Sequence, residues 1–273
     1  MSLFYLSDIA RNNRKGKVPD TFPYTKIRQR LLFQFREMVL PILFPRRCPV
    51  CKKILSQDIL ICSKCRSSLP FIVTPVCYLC GKPVSSPCQE LCFDCRNNPR
   101  SFHHGISLFL YNEKTQPMMA DFKYHNRRTL SRYFAEEILI RYHNLLVQWR
   151  PQLIIPVPVH IKKLNRRGYN QAALLARDLS VLSGIPYFSD VLIRTADTPP
   201  QKTLSPQARL DNLQSAFLFN RKYAELPRRI QTVLLVDDIY TTGATMETCT
   251  RVLTKAGFSN VCICTVCTGV SRD

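Results

Sequence analysis

The sequence predicts an α/β fold, a mostly parallel sheet with helices on both faces, preceded by a small module built around cysteines. Three observations carry this. From about residue 106 to 266, short apolar runs alternate with segments of helical period, the pattern of parallel strands joined by crossover helices. One apolar run, Val233 to Val236, leads into Asp237-Asp238 and then a glycine- and threonine-rich turn. Eight of the 13 cysteines form four Cys-x-x-Cys pairs between residues 48 and 95.

Taken in order, residues 1–45 form a basic extension with a possible amphipathic helix at 25–40, residues 46–98 hold the cysteine pairs, and residues 99–273 make the α/β domain. Residues 106–111 read as a strand and 114–124 as a helix, with Pro117 tolerable only near its first turn. Residues 130–149 have helical period, with Tyr133, Phe134, Ile138, Leu145 and Leu146 as its core face. Strands follow at 153–158, 191–194, 233–236 and 261–266, and helices at 172–182 and 243–256. Cys262, Cys264 and Cys267 on the last strand, and Cys249 on the last helix, read as packing residues.

The stretch from Val233 to Thr245 is the most informative about chemistry. It sets Asp237 and Asp238 at the carboxyl end of a strand, where open α/β sheets bind ligands. Thr241, Thr242, Gly243, Ala244 and Thr245 then lead into a helix. Backbone N–H groups and hydroxyls at a helix start suit a phosphate, and the carboxylates suit ribose hydroxyls or a metal ion.

With 39 Lys and Arg against 19 Asp and Glu, the formal net charge is +20. That excess points to a polyanion, although sign alone leaves DNA, RNA and an anionic membrane open. Arg127, Arg128, Lys162, Lys163 and Arg166 are candidate phosphate contacts, and Tyr78 and Tyr124 candidate stacking rings. No run of 18 apolar residues predicts a membrane span, and the start lacks the pattern of a secretory signal. The expected location is the cytoplasm, with peripheral attachment to the inner membrane left open.

The cysteine pairs are Cys48/Cys51, Cys62/Cys65, Cys77/Cys80 and Cys92/Cys95, with Cys88 outside the spacing. Ten residues separate Cys51 from Cys62 and eleven separate Cys80 from Cys92, as in a duplicated zinc ribbon. Sequential pairing is the simplest arrangement, and an interleaved one gives the same count. Two all-thiolate zinc sites leave no coordination position for water, so the sites are expected to be structural. The module reads equally well as a nucleic-acid clamp or as a structural cap.

The Asp237–Thr245 stretch resembles the phosphoribosyl pyrophosphate signature of type I phosphoribosyltransferases. Further motifs make the chain similar to the competence protein F family, cytoplasmic bacterial proteins tied to natural transformation. They are the double ribbon, Phe122-Lys123-Tyr124, Pro156-Val157-Pro158 followed by 165–171, and the spacing of Arg194, Gln201, Leu204, Arg209, Asn212 and Phe217. The resemblance implies a type I phosphoribosyltransferase-like sheet. It further implies that Asp237 and Asp238 hold ribose hydroxyls with magnesium nearby, and that Thr241 to Thr245 receive the 5′-phosphate. Arg167 and Gly168 would meet pyrophosphate, and Lys202 and Arg209 would lie in a mobile flap. Catalytic roles, if there is turnover, would fall to Asp237, Asp238 and Arg167.

Three functional readings follow, the first two of different class. One is a single-stranded DNA-handling protein of DNA uptake that keeps a magnesium-dependent phosphoribosyl pyrophosphate pocket. The other is an active transferase with an unknown nitrogenous acceptor. A third is an adaptor for a helicase or an inner-membrane uptake channel, docked through the ribbons.

Overall fold

The computed structural model describes residues 45–56, 59–195 and 216–270. The expectations for the N-terminal extension and for Lys202 and Arg209 lie outside them. Two short helices, α1 (Ser63–Ser68) and α2 (Phe93–Asn97), belong to the cysteine module. After them come β1 (His104–Leu110), α3 (Gln116–Tyr124), α4 (Leu130–Trp149), β2 (Leu153–Pro156), α5 (Ile161–Arg167) and α6 (Gln171–Ser183). The remainder is β3 (Leu192–Arg194), β4 (Phe217–Phe219), α7 (Leu226–Arg229), β5 (Thr232–Tyr240), α8 (Ala244–Lys255) and β6 (Asn260–Thr268).

The main sheet is parallel throughout, in the order β1-β6-β5-β2. Its central strands read as near-continuous apolar runs because both faces are covered. Alternation along β5 divides the core: Leu234 and Val236 join Phe134, Ile138 and Leu175 of α4 and α6, while Val233 and Leu235 join Met246, Cys249 and Leu253 of α8. Helix ends follow local chemistry. The Asn170 side chain accepts from the Ala172 amide at the start of α6, and Gly168 and Gly184 close α5 and α6 in the left-handed conformation.

Several boundaries differ from expectation. Strand β5 does not stop at Val236 but runs through the acidic pair to Tyr240, because Asp237, Ile239 and Tyr240 are in register with Thr265, Cys267 and Thr268 of β6. Residues 192–194 form no part of the main sheet; they pair antiparallel with β4. The helix α5 occupies a stretch to which the sequence pattern assigns no element. Leu145, assigned to the core face of α4, is exposed, since a non-helical Tyr142 kinks the helix and shifts the face that follows.

Arg47–Asp273 forms one compact unit, so ribbons and sheet share a core. Cys48, Ile61, Cys65 and Leu69 pack into the cluster on the α4 side, and Cys77, Cys80, Val84 and Cys92 into the cluster on the α8 side. The segment between the ribbons lies along edge strand β1. Ile72 N–H donates to Leu108 (3.1 Å) and Leu110 N–H to Pro70 (2.9 Å), so the edge is covered.

Candidate functional site

The eight paired thiols gather into two clusters, Cys48/Cys51/Cys62/Cys65 and Cys77/Cys80/Cys92/Cys95, with the sulfurs of each within 4.8 Å of one another. The pairing is sequential. A tetrahedron of zinc–sulfur bonds of ~2.3 Å has edges of about 3.8 Å. Cys51 and Cys62 sulfurs stand 3.7 Å apart, and those of Cys80 and Cys92 3.6 Å. The residues fit the metal. Burial raises the Cys48 thiol, but the backbone around Cys51, Cys62 and Val50 outweighs it and brings the group down to about 7. Cys65 of the same cluster is pushed up, to about 12, by burial first and its neighbouring thiols second, so without metal the cluster favours one thiolate and keeps the other protonated. The clusters differ in exposure: Cys51 is exposed and Cys62 half-buried, whereas all four members of the second set are buried. Cys88 is exposed and outside both.

The acidic pair lies near the carboxyl end of β5, partly buried. The Asp238 amide donates to the Asp237 carboxylate at 2.8 Å. Desolvation first, and the Asp238 charge second, push Asp237 up to about 7. Lys123 on α3 sets its Nζ 3.1 Å from Asp238, so the Phe122-Lys123-Tyr124 motif supplies a counterion to the pair. Phe122 itself is fully buried and anchors this turn in the core.

After Tyr240 the chain turns through exposed Thr241 and Thr242 to Gly243, at φ 81°, and enters α8 at Ala244 and Thr245. Glycine is required here twice over. The conformation is left-handed, and a Cβ would fall 2.2 Å from the Tyr240 hydroxyl. The loop is held from outside by Arg100, whose Nη2 donates to the Thr242 carbonyl at 2.8 Å.

A cationic and aromatic face adjoins the acidic pair. Arg167 donates to Gln171 (2.9 Å) and to the Tyr124 hydroxyl (3.3 Å), with its guanidinium 5.1 Å from that ring centre. Gln171 in turn donates to the Lys123 carbonyl at 3.4 Å. Arg166 lies 6.0 Å from the Tyr124 ring centre, and Arg128 4.7 Å from that of Tyr169. Arg127 is half-buried and Gly168 closes α5 beside the Arg128 guanidinium, while Lys162 and Lys163 stand one turn earlier on α5.

Tyr78 is not part of this face. Its exposed ring meets His104 edge-on at 4.8 Å, and His104 stacks on Trp149 at 5.5 Å, near the amino end of β1. Three residues that shape the site were not assigned to it from sequence: Lys123, Arg100 and Tyr240. Lys123 carried a signal, as the middle of a three-residue motif. Arg100 follows closely on the last ribbon cysteine, and nothing in the spacing ties it to a loop 142 positions away.

Comparison with known proteins follows the same division. A family model for a double zinc ribbon domain matches residues 39–96, and one for a phosphoribosyl transferase domain matches residues 157–272. Competence protein F of Haemophilus influenzae is 33% identical over 207 residues, covering 74% of this chain and 87% of the relative. DNA utilization protein YhgH of Salmonella typhimurium is 28% identical over 228 residues, covering 81% and 97%. Competence protein ComFC of Bacillus subtilis is 28% identical over 210 residues, covering 75% and 82%. With both domains matched and most of a relative spanned at this identity, the chain belongs to the competence protein F family.

Proposed function

We propose that the protein handles single-stranded DNA during DNA uptake, in the cytoplasm, and that the loop at Thr241–Thr245 and the acidic pair bind phosphoribosyl pyrophosphate with magnesium. The observation that carries this reading is the joining of two surfaces through α3. Lys123 meets Asp238, and the next residue, Tyr124, holds Arg167 against its ring. A ligand at the acidic pair and a strand on the tyrosine–arginine face would therefore sense the same turn of helix. Relatives named for competence and DNA utilization support the role.

In this scheme zinc in the two four-cysteine clusters is structural, since four thiolates close the coordination sphere. Asp237 and Asp238 would hold the ribose hydroxyls, with magnesium close by to neutralise charge on the bound pyrophosphate. Gly243 and the start of α8 take the 5′-phosphate, where the helix dipole favours an anion. Arg167 and Gly168 face the pyrophosphate end. Isothermal calorimetry of the Asp237→Asn/Asp238→Asn protein tests the pocket: the expected result is loss of magnesium-dependent phosphoribosyl pyrophosphate binding with an unchanged circular dichroism spectrum. Equal affinity in the double variant would reject it.

The intact acidic pair also favours a second reading, transfer of phosphoribosyl to a nitrogenous acceptor. Asp237, Asp238 and Arg167 would then stabilise a ribose-centred cation and the departing pyrophosphate. Pyrophosphate release across a panel of bases, lost on Arg167→Gln with little change in binding, would establish that reading.

A further inference from the structure

The short connection that leaves the second cysteine cluster is built into the loop at Thr241–Thr245. Arg100, five residues past Cys95, donates to the Thr242 carbonyl at 2.8 Å. The next residue, Ser101, donates through both its amide (2.8 Å) and its hydroxyl (2.7 Å) to Glu247, a buried carboxylate in the first turn of α8. Phe102 then sets its ring edge-on to Tyr240 at 6.4 Å. From within the cluster, Lys82 reaches the same tyrosine: it is 2% exposed, paired with Asp94 at 2.6 Å, and lies 5.5 Å from the Tyr240 ring centre. The Tyr240 ring supports Gly243 so closely that no side chain fits between them.

We infer that the second cysteine cluster is the foundation of this loop, with Arg100 the positioning residue that couples metal at Cys77/Cys80/Cys92/Cys95 to anion binding at Thr241–Thr245. The inference rests on the reading of that loop as a phosphate site. The physical reason is charge and constraint together. Zinc with four thiolates carries a formal −2, and the half-buried Arg100 guanidinium and the buried Lys82 ammonium stand against it. Charge-assisted hydrogen bonds of this kind are about twice as strong as neutral ones. With Cys95 held by metal, the short connection from Cys95 fixes where Arg100 meets the Thr242 carbonyl. Without that anchor the loop loses its outer support. Coupling between two sites is reciprocal in binding free energy, so a phosphate ligand that fixes Thr242 also tightens the metal, which is read here as slower departure. The first cluster makes no such connection among the described residues; its cations reach α3 and α4 instead, through Lys52–Asp121 and Arg66–Glu137.

The test is zinc release to a chromogenic chelator, followed in a Cys62→Ala protein that keeps only the second cluster intact. Saturating phosphoribosyl pyrophosphate with magnesium should slow release roughly fivefold or more, the lower end of ordinary coupling. Arg100→Gln should hold its zinc but release it faster and lose the protection, and Arg100→Lys should recover part of both. Protection of equal size in Arg100→Gln overturns the inference. If calorimetry finds no binding of phosphoribosyl pyrophosphate to the unaltered protein, the phosphate reading fails. The contact is then judged on ligand-free release, where equal rates for the unaltered protein and Arg100→Gln overturn it. Should the Cys62→Ala chain not fold, the same comparison applies to the slow phase of release from the intact one.

Discussion

Lys123 and Asp238 lie 115 positions apart in the chain and 3.1 Å apart in the fold, with the lysine and aspartate side chains 18% and 14% exposed. The pair ties helix α3 to the end of β5 and offsets one of two adjacent carboxylates. Lys123→Met removes that counterion from a partly buried site. The expected loss is roughly 1–3 kcal/mol at pH 8, the range for leaving a buried charged group without its partner. Thermal unfolding at pH 5 and pH 8 checks it: the deficit should be smaller at pH 5, where protonation of the Asp237 carboxyl relieves the pair.

Asp237 has a pH dependence of defined sign. Its folded-state value is raised from 3.8 to about 7, so the fold favours the protonated acid. The stability it lends is complete below pH 4 and is lost as pH rises through 7. Asp237→Asn keeps a neutral group at every pH. In the absence of ligand it should therefore melt several degrees above the unaltered protein at pH 8 and close to it at pH 4. Melting curves that run parallel from pH 4 to 8 would refute the assignment of this carboxyl as a strained anion.

Two zinc ions per chain are expected from the two sulfur clusters. Their release should be biphasic, the first cluster exchanging faster because Cys51 is exposed and Cys62 half-buried while the second set is wholly buried. Cys51→Ser should remove the fast phase and leave the slow one. A single rate for both ions would contradict the difference in burial.

Binding to single-stranded DNA should fall steeply with salt and depend little on base sequence, since phosphate contacts release counterions and read no bases. Arg127→Glu/Arg128→Glu should weaken binding to every oligonucleotide. Tyr124→Ala should cost ~1–3 kcal/mol on single strands and much less on duplex, the signature of lost stacking. Tyr78, near the amino end of the sheet, reports on path length: its alanine variant should affect long oligonucleotides and spare short ones. Fluorescence anisotropy across a salt series distinguishes these outcomes, and affinity indifferent to salt would exclude this face.

Much of the molecule is legible in the chain because its determinants are local. A Cys-x-x-Cys turn brings two thiols together within four residues, so two metal-ready clusters follow from spacing alone. Apolar period separates β1, β5 and β6 from α4, α6 and α8, and Gly243 marks a turn where a side chain has no room. Other features have no local signature. Strand β5 continues past Val236 only because β6 lies alongside to receive it. The kink at Tyr142 that exposes Leu145 is a matter of packing. Which cysteine pairs share a cluster is decided by the fold as well. The placing of the ribbons on the two core faces, Lys123 against Asp238, and Arg100 against Thr242 join segments far apart in sequence. Spacing and periodicity act over one turn of helix or a few residues of strand. Contacts across 100 residues are decided by which buried faces fit together, and only the folded chain determines that.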